Sequence, residues 1–381
     1  MTAKMEKEKI LITDGMFPNK FSTWRNVEII SFMEEYQTSI LVKHGRSWTL
    51  DFDHEIFSRI FSSSKYNILI FDPEYNHLNK FNERIDGKEF NWSLSNYSYL
   101  ITEDTDFNLE SFKLIYHIFL GSYFDFNNAF NFPDKRQVIH LYPGGGFSPG
   151  QSVQIGPTAS VISTHPLTSS EVERKGNPNL LCLTAPMYLR DEFVNPPRDL
   201  NETTIGVCFS SLGSAKEKGA RKYRRIATIY KLLYPKTKVE FYSVGNGLKS
   251  RFIKRYKPMA FTDLESFYLN YVDVYVNTST KHAFNGWPLG LEAVKNGCAL
   301  LTTDPDQVAK FYNADKYEIR PIKHTHHFIS AIRNFEKNRD LLGYTKKMNM
   351  QFVRNFAGYE AQQEKIFKFI NNLILECSRD V

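Results

Sequence analysis

The sequence predicts an α/β protein with two domains, each built on a parallel sheet. A chain of 381 residues is longer than one ordinary hydrophobic core accommodates, and its hydrophobic content of 42% is enough for two cores. Short runs of β-branched and aromatic residues alternate with segments whose apolar residues recur at helical spacing. Such alternation is typical of parallel strands that are joined by helices.

The clearest strand–loop–helix–strand unit lies at residues 273–304. A strand-like run is followed by a loop that ends at Pro288, a helix-like run over 289–296 and a second strand-like run. Gly297 stands where the C-terminus of a helix needs a residue that accepts positive φ. The N-terminus of a helix presents free N–H groups and the positive end of its dipole, so this unit predicts a phosphate site.

Glu292 lies one turn inside that predicted helix. Gly286 and Gly290 keep side chains small at the helix start, which lets an anion approach the backbone. A carboxylate beside that anion is placed to accept hydrogen bonds from a sugar hydroxyl. The alternative is that Glu292 only stabilises the helix dipole, and the local pattern leaves both interpretations open.

The segment GWPLGLEAVKNGCALLTTD (286–304) resembles the nucleotide-sugar signature of retaining GT-B glycosyltransferases, the family-4-like group 1 enzymes of polysaccharide and glycolipid synthesis. The resemblance implies that Glu292 binds the nucleotide ribose and that the backbone at Leu289 and Gly290 meets the diphosphate. It implies two Rossmann-like domains that face each other across a cleft, with a C-terminal helix that crosses back to the N-terminal domain. Phe284 stands where the family has a first glutamate, near the donor sugar.

Composition and cysteine usage narrow the class of protein. The four cysteines are far apart and lie mostly in apolar runs, so they predict neither a disulfide framework nor a zinc site. The apolar run before Asp14 is too short for a signal peptide, and no segment reaches the roughly 18 apolar residues of a membrane span. We therefore expect a cytoplasmic protein, and its net charge of +6 is compatible with peripheral contact at the inner face of a membrane.

The first half of the chain has the pattern of one Rossmann-like domain. Strand-like runs lie at 9–14, 39–43, 67–71, 99–102 and 137–141, and helix-like patterns at 22–36, 54–61 and 109–120. Gly15 opens the loop after the first strand, and we count it among the donor-binding residues. The acidic run 103–106 is compatible with a metal-binding Asp-x-Asp motif, but capping of the next helix is the favoured interpretation.

His140 lies at the end of the run 137–141 and directly before a glycine-rich loop at 142–150. Ligands of open α/β sheets collect at the carboxyl ends of strands, so this placement is typical of a site. The resemblance agrees, because family members often have a histidine here that faces the donor sugar. We therefore assign His140 a catalytic role, with a partly buried structural histidine as the alternative.

Residues 195–202 combine two prolines with polar residues and predict the linker between the domains. The predicted N-terminal acceptor domain is 1–194, the C-terminal donor domain is 203–358, and 359–381 is the returning helix. The donor domain begins with a strand at 204–211.

A basic segment at 216–225 then opens a predicted helix that runs to about Tyr234. Positive charge at a helix N-terminus opposes the dipole unless an anion binds there, although a solvated basic face explains the same residues. The resemblance places Lys218 of Glu217-Lys218-Gly219 against the diphosphate, so we assign it both donor binding and catalysis.

Further segments of the second domain carry donor contacts by resemblance. Gly245 matches a glycine turn of the family, and Met259 lies in the strand end that meets the nucleotide base. The basic run 249–257 favours a membrane-facing or solvated helix over nucleic-acid binding, because no nucleic-acid fold accompanies it. Thr262 and Glu265 have the spacing of a capping box at the start of a helix.

The implied activity is transfer of a sugar from a nucleoside diphosphate sugar to a carbohydrate, lipid-linked or other hydroxyl acceptor, with retention and without a metal or other cofactor. Lys218 and the helix N-terminus at Leu289 and Gly290 would stabilise the leaving diphosphate. One alternative is a non-catalytic binding or scaffold protein on the same fold. It is favoured by two departures from the family pattern, at Phe284 and near Ser211, where the family has an arginine. Another is an inverting transferase or a sugar-nucleotide epimerase. A dehydrogenase is disfavoured, since no G-x-G-x-x-G follows the first strand of either domain.

Overall fold

The computed structural model describes a defined part of the chain, namely residues 8–14, 31–32, 35–43, 66–71, 97–102, 111–118, 123, 136–141, 159–164, 169–170, 172–173, 179–183, 204–210, 219–245, 248–257, 261–279, 287–304 and 308–379. Its strands are β1 (Lys9–Asp14), β2 (Gln37–Lys43), β3 (Tyr66–Phe71), β4 (Tyr97–Thr102), β5 (Leu114–His117), β6 (Gln137–Leu141), β7 (Ser160–Ser163), β8 (Leu180–Cys182), β9 (Ile205–Ser210), β10 (Val239–Val244), β11 (Ile253–Tyr256), β12 (Val274–Asn277) and β13 (Ala299–Thr302). Its α-helices are α1 (Ala220–Leu233), α2 (Phe261–Tyr271), α3 (Trp287–Lys295), α4 (Val308–Phe311), α5 (Thr325–Lys337), α6 (Arg339–Phe352) and α7 (Tyr359–Arg379).

The first eight strands form one parallel sheet with the order β4-β3-β2-β1-β5-β6-β7-β8. Every residue of β5, β6 and β7 is buried. Strands of a parallel sheet are buried on both faces, which fits the apolar pairs Ile115–Tyr116, Val138–Ile139 and Val161–Ile162 within them. The strand order reverses at β1, which pairs with β2 on one side and with β5 on the other.

The predicted helix over 109–120 is wrong at its centre. Residues 114–117 form β5, whose place in the sheet is between β1 and β6. The apolar run fits a helix face as well as a short buried strand, and periodicity does not separate the two. Pairing on both sides decides the conformation, because it satisfies the backbone groups of a segment that is buried throughout.

The second sheet is also parallel and has the order β11-β10-β9-β12-β13. Alternate residues of its strands point to opposite faces. On one face Val207 packs in a core with Tyr223 of α1 and Phe328 of α5. On the other face Cys208 packs in a core with residues of α2, α3 and the end of α6, including Leu264, Leu291 and Phe352.

Two predicted elements of the second domain require correction. The helix expected from residue 216 begins at Ala220, after Gly219. The basic run 249–257 holds the edge strand β11 and not a helix, with Lys254 and Arg255 exposed. Charged residues on an edge strand discourage pairing with another chain, which is a sufficient reason for their presence.

The C-terminal helix α7 crosses back to the first domain, as predicted. Phe367 contacts Phe32 and Tyr36 edge-on, with ring centroids 5.4 and 5.7 Å apart. The Tyr36 hydroxyl donates a hydrogen bond to Asn371 Oδ1 at 2.9 Å. The two sheets lie on either side of the predicted linker 195–202, which falls outside the described residues, so the domain boundaries stay a prediction.

A direct contact between the domains involves the end of β8. Cys182 Sγ lies 3.9 Å from the Tyr312 hydroxyl and accepts a hydrogen bond from Ser169 at 3.0 Å. Tyr312 follows α4 and packs against the aromatic rings of Phe352 and Phe356. None of the helices in the described part of the chain combines the length and apolar character that crossing a bilayer requires.

Candidate functional site

The carboxyl ends of β9 and β12 form the candidate site. From β9 the chain first adds β10 and β11 on one side of the sheet, and then returns to add β12 and β13 on the other side. The strand order therefore reverses between the neighbours β9 and β12. A crevice opens at such a reversal, and ligands of open α/β sheets bind there. The helices α1 and α3 follow β9 and β12 in sequence, so both present their N-termini at this edge.

Gly219 attaches the start of α1 to the loop after β12. Its φ of 79° lies in the left-handed region, where glycine is favoured. A Cβ atom at this position would lie 1.9 Å from the carbonyl oxygen of Thr278, so no larger residue fits. The Thr278 hydroxyl donates a hydrogen bond to the Gly219 carbonyl oxygen at 3.0 Å. The glycine that ends Glu217-Lys218-Gly219 therefore belongs to the same edge as the residues 278–279.

Polar side chains hold the loop after β12 in place. Asn277 donates from Nδ2 to Thr302 Oγ1 at 3.0 Å, and its Oδ1 accepts the N–H of Ser279 at 3.1 Å. The Thr303 hydroxyl donates to the Ser279 carbonyl oxygen at 2.7 Å. These bonds join the ends of β12 and β13, so the loop that leads to α3 leaves the sheet from a fixed point.

The start of α3 lies where the sequence predicts it, within two residues. Gly290 is buried, and a Cβ atom there would lie 2.9 Å from Leu300 Cδ1 of β13. Close packing of the helix on the sheet is therefore a sufficient reason for a glycine at position 290. The sequence-based interpretation is instead that glycine lets an anion approach the backbone. Leu289 is half-buried and packs against the core of the second domain.

Glu292 belongs to a buried group of charges that we call the triad, formed by Glu265, Lys295 and Glu292. Lys295 Nζ lies 2.8 Å from Glu292 Oε2, one turn away on the same helix, and 2.9 Å from Glu265 Oε1 on α2. The side chains of Lys295 and Glu265 are each 6% exposed, and that of Glu292 is 11% exposed. One ammonium group thus connects two carboxyl groups from two helices.

Burial and charge act against each other in the triad. Burial raises the pKa of the Glu292 carboxyl, and the charge of Lys295 partly offsets that effect. Burial by itself would lower the pKa of the Lys295 ammonium. The negative charges of Glu292 and Glu265 have the larger effect, so this pKa is raised. The lysine therefore stays protonated at neutral pH.

The prediction that Glu265 caps the start of a helix together with Thr262 is wrong. The helix α2 begins at Phe261, one residue before Thr262, and the Glu265 carboxylate contacts Lys295. The spacing of a capping box is short and common, so an ion pair that forms only in the folded chain is not visible in it.

Gly245 ends β10 with a φ of 109°, which glycine accepts more readily than other residues. Its N–H donates to the Tyr256 carbonyl oxygen of β11 at 3.1 Å. Because β10 is separated from β12 by β9, Gly245 lies one strand away from the reversal of strand order.

His140 is completely buried in the first sheet. Its Nδ1 lies 2.6 Å from the Tyr116 hydroxyl, and the two rings meet edge-on with centroids 6.0 Å apart. Tyr116 in turn packs on Phe32, with ring centroids 4.6 Å apart. This environment agrees with the structural histidine that we gave as the alternative, and the catalytic assignment stays a prediction.

Several predicted site residues fall outside the described part of the chain: Gly15, Lys218, Met259 and Phe284. The acidic run 103–106 and the glycine-rich loop 142–150 fall outside it as well. Among the described residues, no group of three histidine, cysteine, aspartate or glutamate side chains is arranged to hold a metal ion. The expectation that no metal takes part stays a prediction.

The structure brings together Gly219, Leu289, Gly290 and Glu292 at one edge of the second sheet, and it adds residues that we had not predicted. The pairing of Lys295 with Glu292 could have been predicted from the sequence, because residues three positions apart on a helix are neighbours and interact. Glu265 carries none, because it lies on α2 and reaches Lys295 from a different helix. Thr278 lies within the predicted unit 273–304, but its hydrogen bond to Gly219 joins segments 59 residues apart, for which no local signal exists.

Comparison with known proteins identifies neighbours by fold. No protein-family model and no curated protein matches the sequence. Among solved structures, a mutant of TarM from S. aureus, crystallised with Fondaparinux, alpha-GlcNAc-glycerol and UDP, aligns with a TM-score of 0.63 and 12% identity, over 96% of this chain and 100% of that chain. A glycosyltransferase from Rickettsia africae aligns with a TM-score of 0.59 and 8% identity, over 97% of this chain and 99% of that chain.

A protein from Listeria monocytogenes that is assigned as a UDP-N-acetylglucosamine 2-epimerase aligns with a TM-score of 0.54 and 10% identity, over 97% of each chain. These full-length alignments and the two parallel sheets confirm the predicted GT-B fold. At such low identity the likeness is one of fold.

Proposed function

We propose that the protein is a glycosyltransferase, which moves a sugar from a nucleoside diphosphate sugar to a hydroxyl group of a carbohydrate or lipid-linked acceptor. The second domain holds the nucleotide, and the acceptor enters from the first domain. The reaction proceeds with retention and without a metal, and the protein works in the cytoplasm with peripheral contact at a membrane.

The observation that carries this proposal is that two helices begin at the same edge of the second sheet, where its strand order reverses. The start of α1 is attached to the loop after β12 through Gly219 and Thr278. The start of α3 follows that same loop, with Glu292 in its second turn. Two sets of free N–H groups favour a diphosphate, and a carboxylate beside them favours the hydroxyl groups of a ribose.

The chemistry required of these residues is modest. The bond between the anomeric carbon and the diphosphate oxygen breaks, the acceptor oxygen forms a new bond to that carbon, and the hydroxyl proton of the acceptor passes to the leaving diphosphate. Negative charge grows on the leaving diphosphate. The N-termini of α1 and α3 and the ammonium of Lys218, which directly precedes Gly219, are the groups that stabilise it.

Two of the structural neighbours support a transferase, and one supports a different reaction. The Rickettsia protein carries the glycosyltransferase description, and the S. aureus protein was crystallised with UDP and alpha-GlcNAc-glycerol, whereas the Listeria protein is assigned as an epimerase. An epimerase interconverts its sugar nucleotide without an acceptor, so incubation of the protein with donor alone separates the two reactions.

Thermal unfolding in the presence of UDP, GDP and ADP and of their sugars tests the nucleotide site. A ligand at a hundred times its dissociation constant stabilises a protein by about 2.7 kcal/mol, which is a shift of a few degrees in a chain of this size. We expect one base to give this shift, and we expect Gly219→Ala to abolish it because the new Cβ displaces the start of α1.

Gly206→Ala is the matched control for this substitution. A Cβ atom at Gly206 would lie 1.8 Å from the Tyr271 carbonyl oxygen, so the steric conflict is equal, but Gly206 lies at the amino end of β9, away from the site. This variant should lose stability and keep the ligand-induced shift. A wild-type protein that no nucleoside diphosphate stabilises would contradict the proposed function and favour a scaffold protein on the same fold.

A further inference from the structure

The triad of Glu265, Lys295 and Glu292 restrains the carboxylate that we assign to the ribose. A glutamate on a helix surface has several rotatable bonds and samples several rotamers. Here the Lys295 ammonium contacts Glu292 Oε2 at 2.8 Å, with both side chains buried. One carboxylate oxygen is thereby held in place, and we assign the other oxygen to the ligand.

Glu265 gives that restraint a second anchor. A lysine three positions from a glutamate on one helix forms only a weak pair when it stands alone. The contact of 2.9 Å to Glu265 comes from α2, a different helix, so Lys295 is held from two directions. The two helices are themselves packed together, since Leu264 and Leu291 belong to the same buried core.

The charge of the triad determines which chemical group of a ligand can bind beside it. Two carboxyl groups share one ammonium in a buried place, where an additional anion would be unfavourable. Hydroxyl groups donate hydrogen bonds and bring no charge, so they suit a carboxylate that already has its cation. A nucleotide would therefore place its ribose at the triad and its phosphates at the helix N-termini.

We propose that Lys295, anchored by Glu265, is a positioning residue that fixes the Glu292 carboxylate for the 2′- and 3′-hydroxyls of a donor ribose, and so makes the site prefer ribonucleotides to 2′-deoxyribonucleotides. This inference rests on the proposed function. Lys295 acts through Glu292 and does not itself contact the reacting atoms.

The competing explanation is that the triad only cross-links α2 and α3. A second buried pair in the same domain provides a matched control, because Lys346 Nζ lies 2.7 Å from Asp273 Oδ1 with both side chains 3% exposed. Loss of either lysine should destabilise the domain, but only Lys295 lies beside Glu292.

The experiment is calorimetric titration with UDP, GDP and ADP and with the 2′-deoxy form of each. For the diphosphate that binds, wild-type protein should prefer the ribose form by roughly tenfold to a hundredfold, as expected for a hydrogen bond to a charged group. Lys295→Met should bring that ratio close to one. Lys346→Met should lower the melting temperature and leave the ratio unchanged.

Glu265→Gln keeps the size of the side chain and tests the anchor even if Lys295→Met does not fold. We expect it to lower the ratio severalfold with the protein still folded. If the affinity ratio is unchanged in Glu265→Gln and Lys295→Met but is lost in Glu292→Gln, the role of Lys295 is overturned. The proposed nucleotide site would then still hold. Equal affinity of wild-type protein for both sugars would overturn the inference as well. Failure of every diphosphate to bind wild-type protein would instead contradict the proposed function.

Discussion

Two buried lysines of the second domain, Lys295 and Lys346, form ion pairs with buried carboxylates. Lys346 of α6 donates to Asp273 at 2.7 Å, and Asp273 also accepts the N–H of Gly206 at 2.9 Å. The pair therefore joins α6 to the amino end of the central strand β9. A buried ion pair adds little net stability because desolvation offsets attraction, but removal of one partner leaves a charge in the core.

Lys346→Met should lower the free energy of unfolding by about 3–5 kcal/mol, because the Asp273 carboxylate stays buried without its lysine. Lys254→Met is the control, since Lys254 pairs with Glu240 at a similar distance of 2.8 Å but on the exposed edge strand β11. That variant should cost less than about 1 kcal/mol. Denaturant unfolding of both variants measures the difference, and equal losses would contradict this prediction.

At the level of elements, α7 is the helix that joins the end of the chain to its beginning. Ile366, Ile370 and Leu373 are buried on the face of α7 that packs inward, whereas Leu375 is 58% exposed. Its aromatic contact with Phe32 lies in the first domain. The helix therefore stabilises a domain from which its sequence is distant.

Ile370→Ala should destabilise the protein by about 2–5 kcal/mol, because it removes methyl groups from a fully buried position and leaves a cavity. Leu375→Ala, on the same helix, should change stability by no more than about 0.5 kcal/mol. Thermal unfolding of the two variants makes the comparison. Similar effects at both positions would mean that α7 does not pack on the first domain in solution.

Three neighbouring strands of the first sheet are linked by a buried polar chain. His117 of β5 contacts Thr13 Oγ1 of β1 through Nδ1 at 2.7 Å and Gln137 Oε1 of β6 through Nε2 at 3.0 Å. Burial lowers the pKa of His117 from 6.5 to about 3, although the hydrogen bond with Gln137 acts in the opposite direction. The imidazole is therefore neutral in the folded protein at every ordinary pH.

This histidine should make the protein less stable in acid. Between pH 6.5 and about 3 the unfolded chain binds a proton at His117 that the folded chain does not bind. The contribution of His117 to stability is thus complete above pH 6.5 and falls by up to about 1.4 kcal/mol for each pH unit below it. His117→Gln should flatten the acid side of the stability profile, and an identical slope in wild-type protein and variant would contradict the shift.

At the level of the whole molecule, the two sheets differ in the structural features that lie at their reversals of strand order. The second sheet combines a reversal of strand order with a fixed loop, two helix N-termini and the triad. The first sheet has its own reversal between β1 and β5, where Thr13 and His117 meet. The contact of Cys182 with Tyr312 and the return of α7 connect the two halves.

Donor binding should therefore protect one half of the molecule from hydrogen exchange. We expect the nucleoside diphosphate that binds to slow exchange in the peptides that contain Gly219, Thr278 and the first turn of α3, because the proposed function puts the ligand beside those amides. Peptides of β6 and β7 should exchange at unchanged rates. Protection confined to the first domain would show that the nucleotide binds elsewhere.

The order of elements and the candidate helix could be read from the sequence because both depend on local signals. Alternating strand and helix patterns and Gly297 with its φ of 84° have their causes within a few residues. The resemblance around Glu292 then indicated the GT-B fold. These features survive in the structure because local preference and tertiary packing agree there.

Tertiary structure decided what depends on partners distant in sequence. Residues 114–117 are a strand because β1 and β6 flank them, and β11 is an edge strand because β10 is available beside it. Glu265 became part of the triad only when α2 packed beside α3. A buried charge or a buried backbone group must find a partner, and the partner is defined by the folded chain and not by the neighbouring residues.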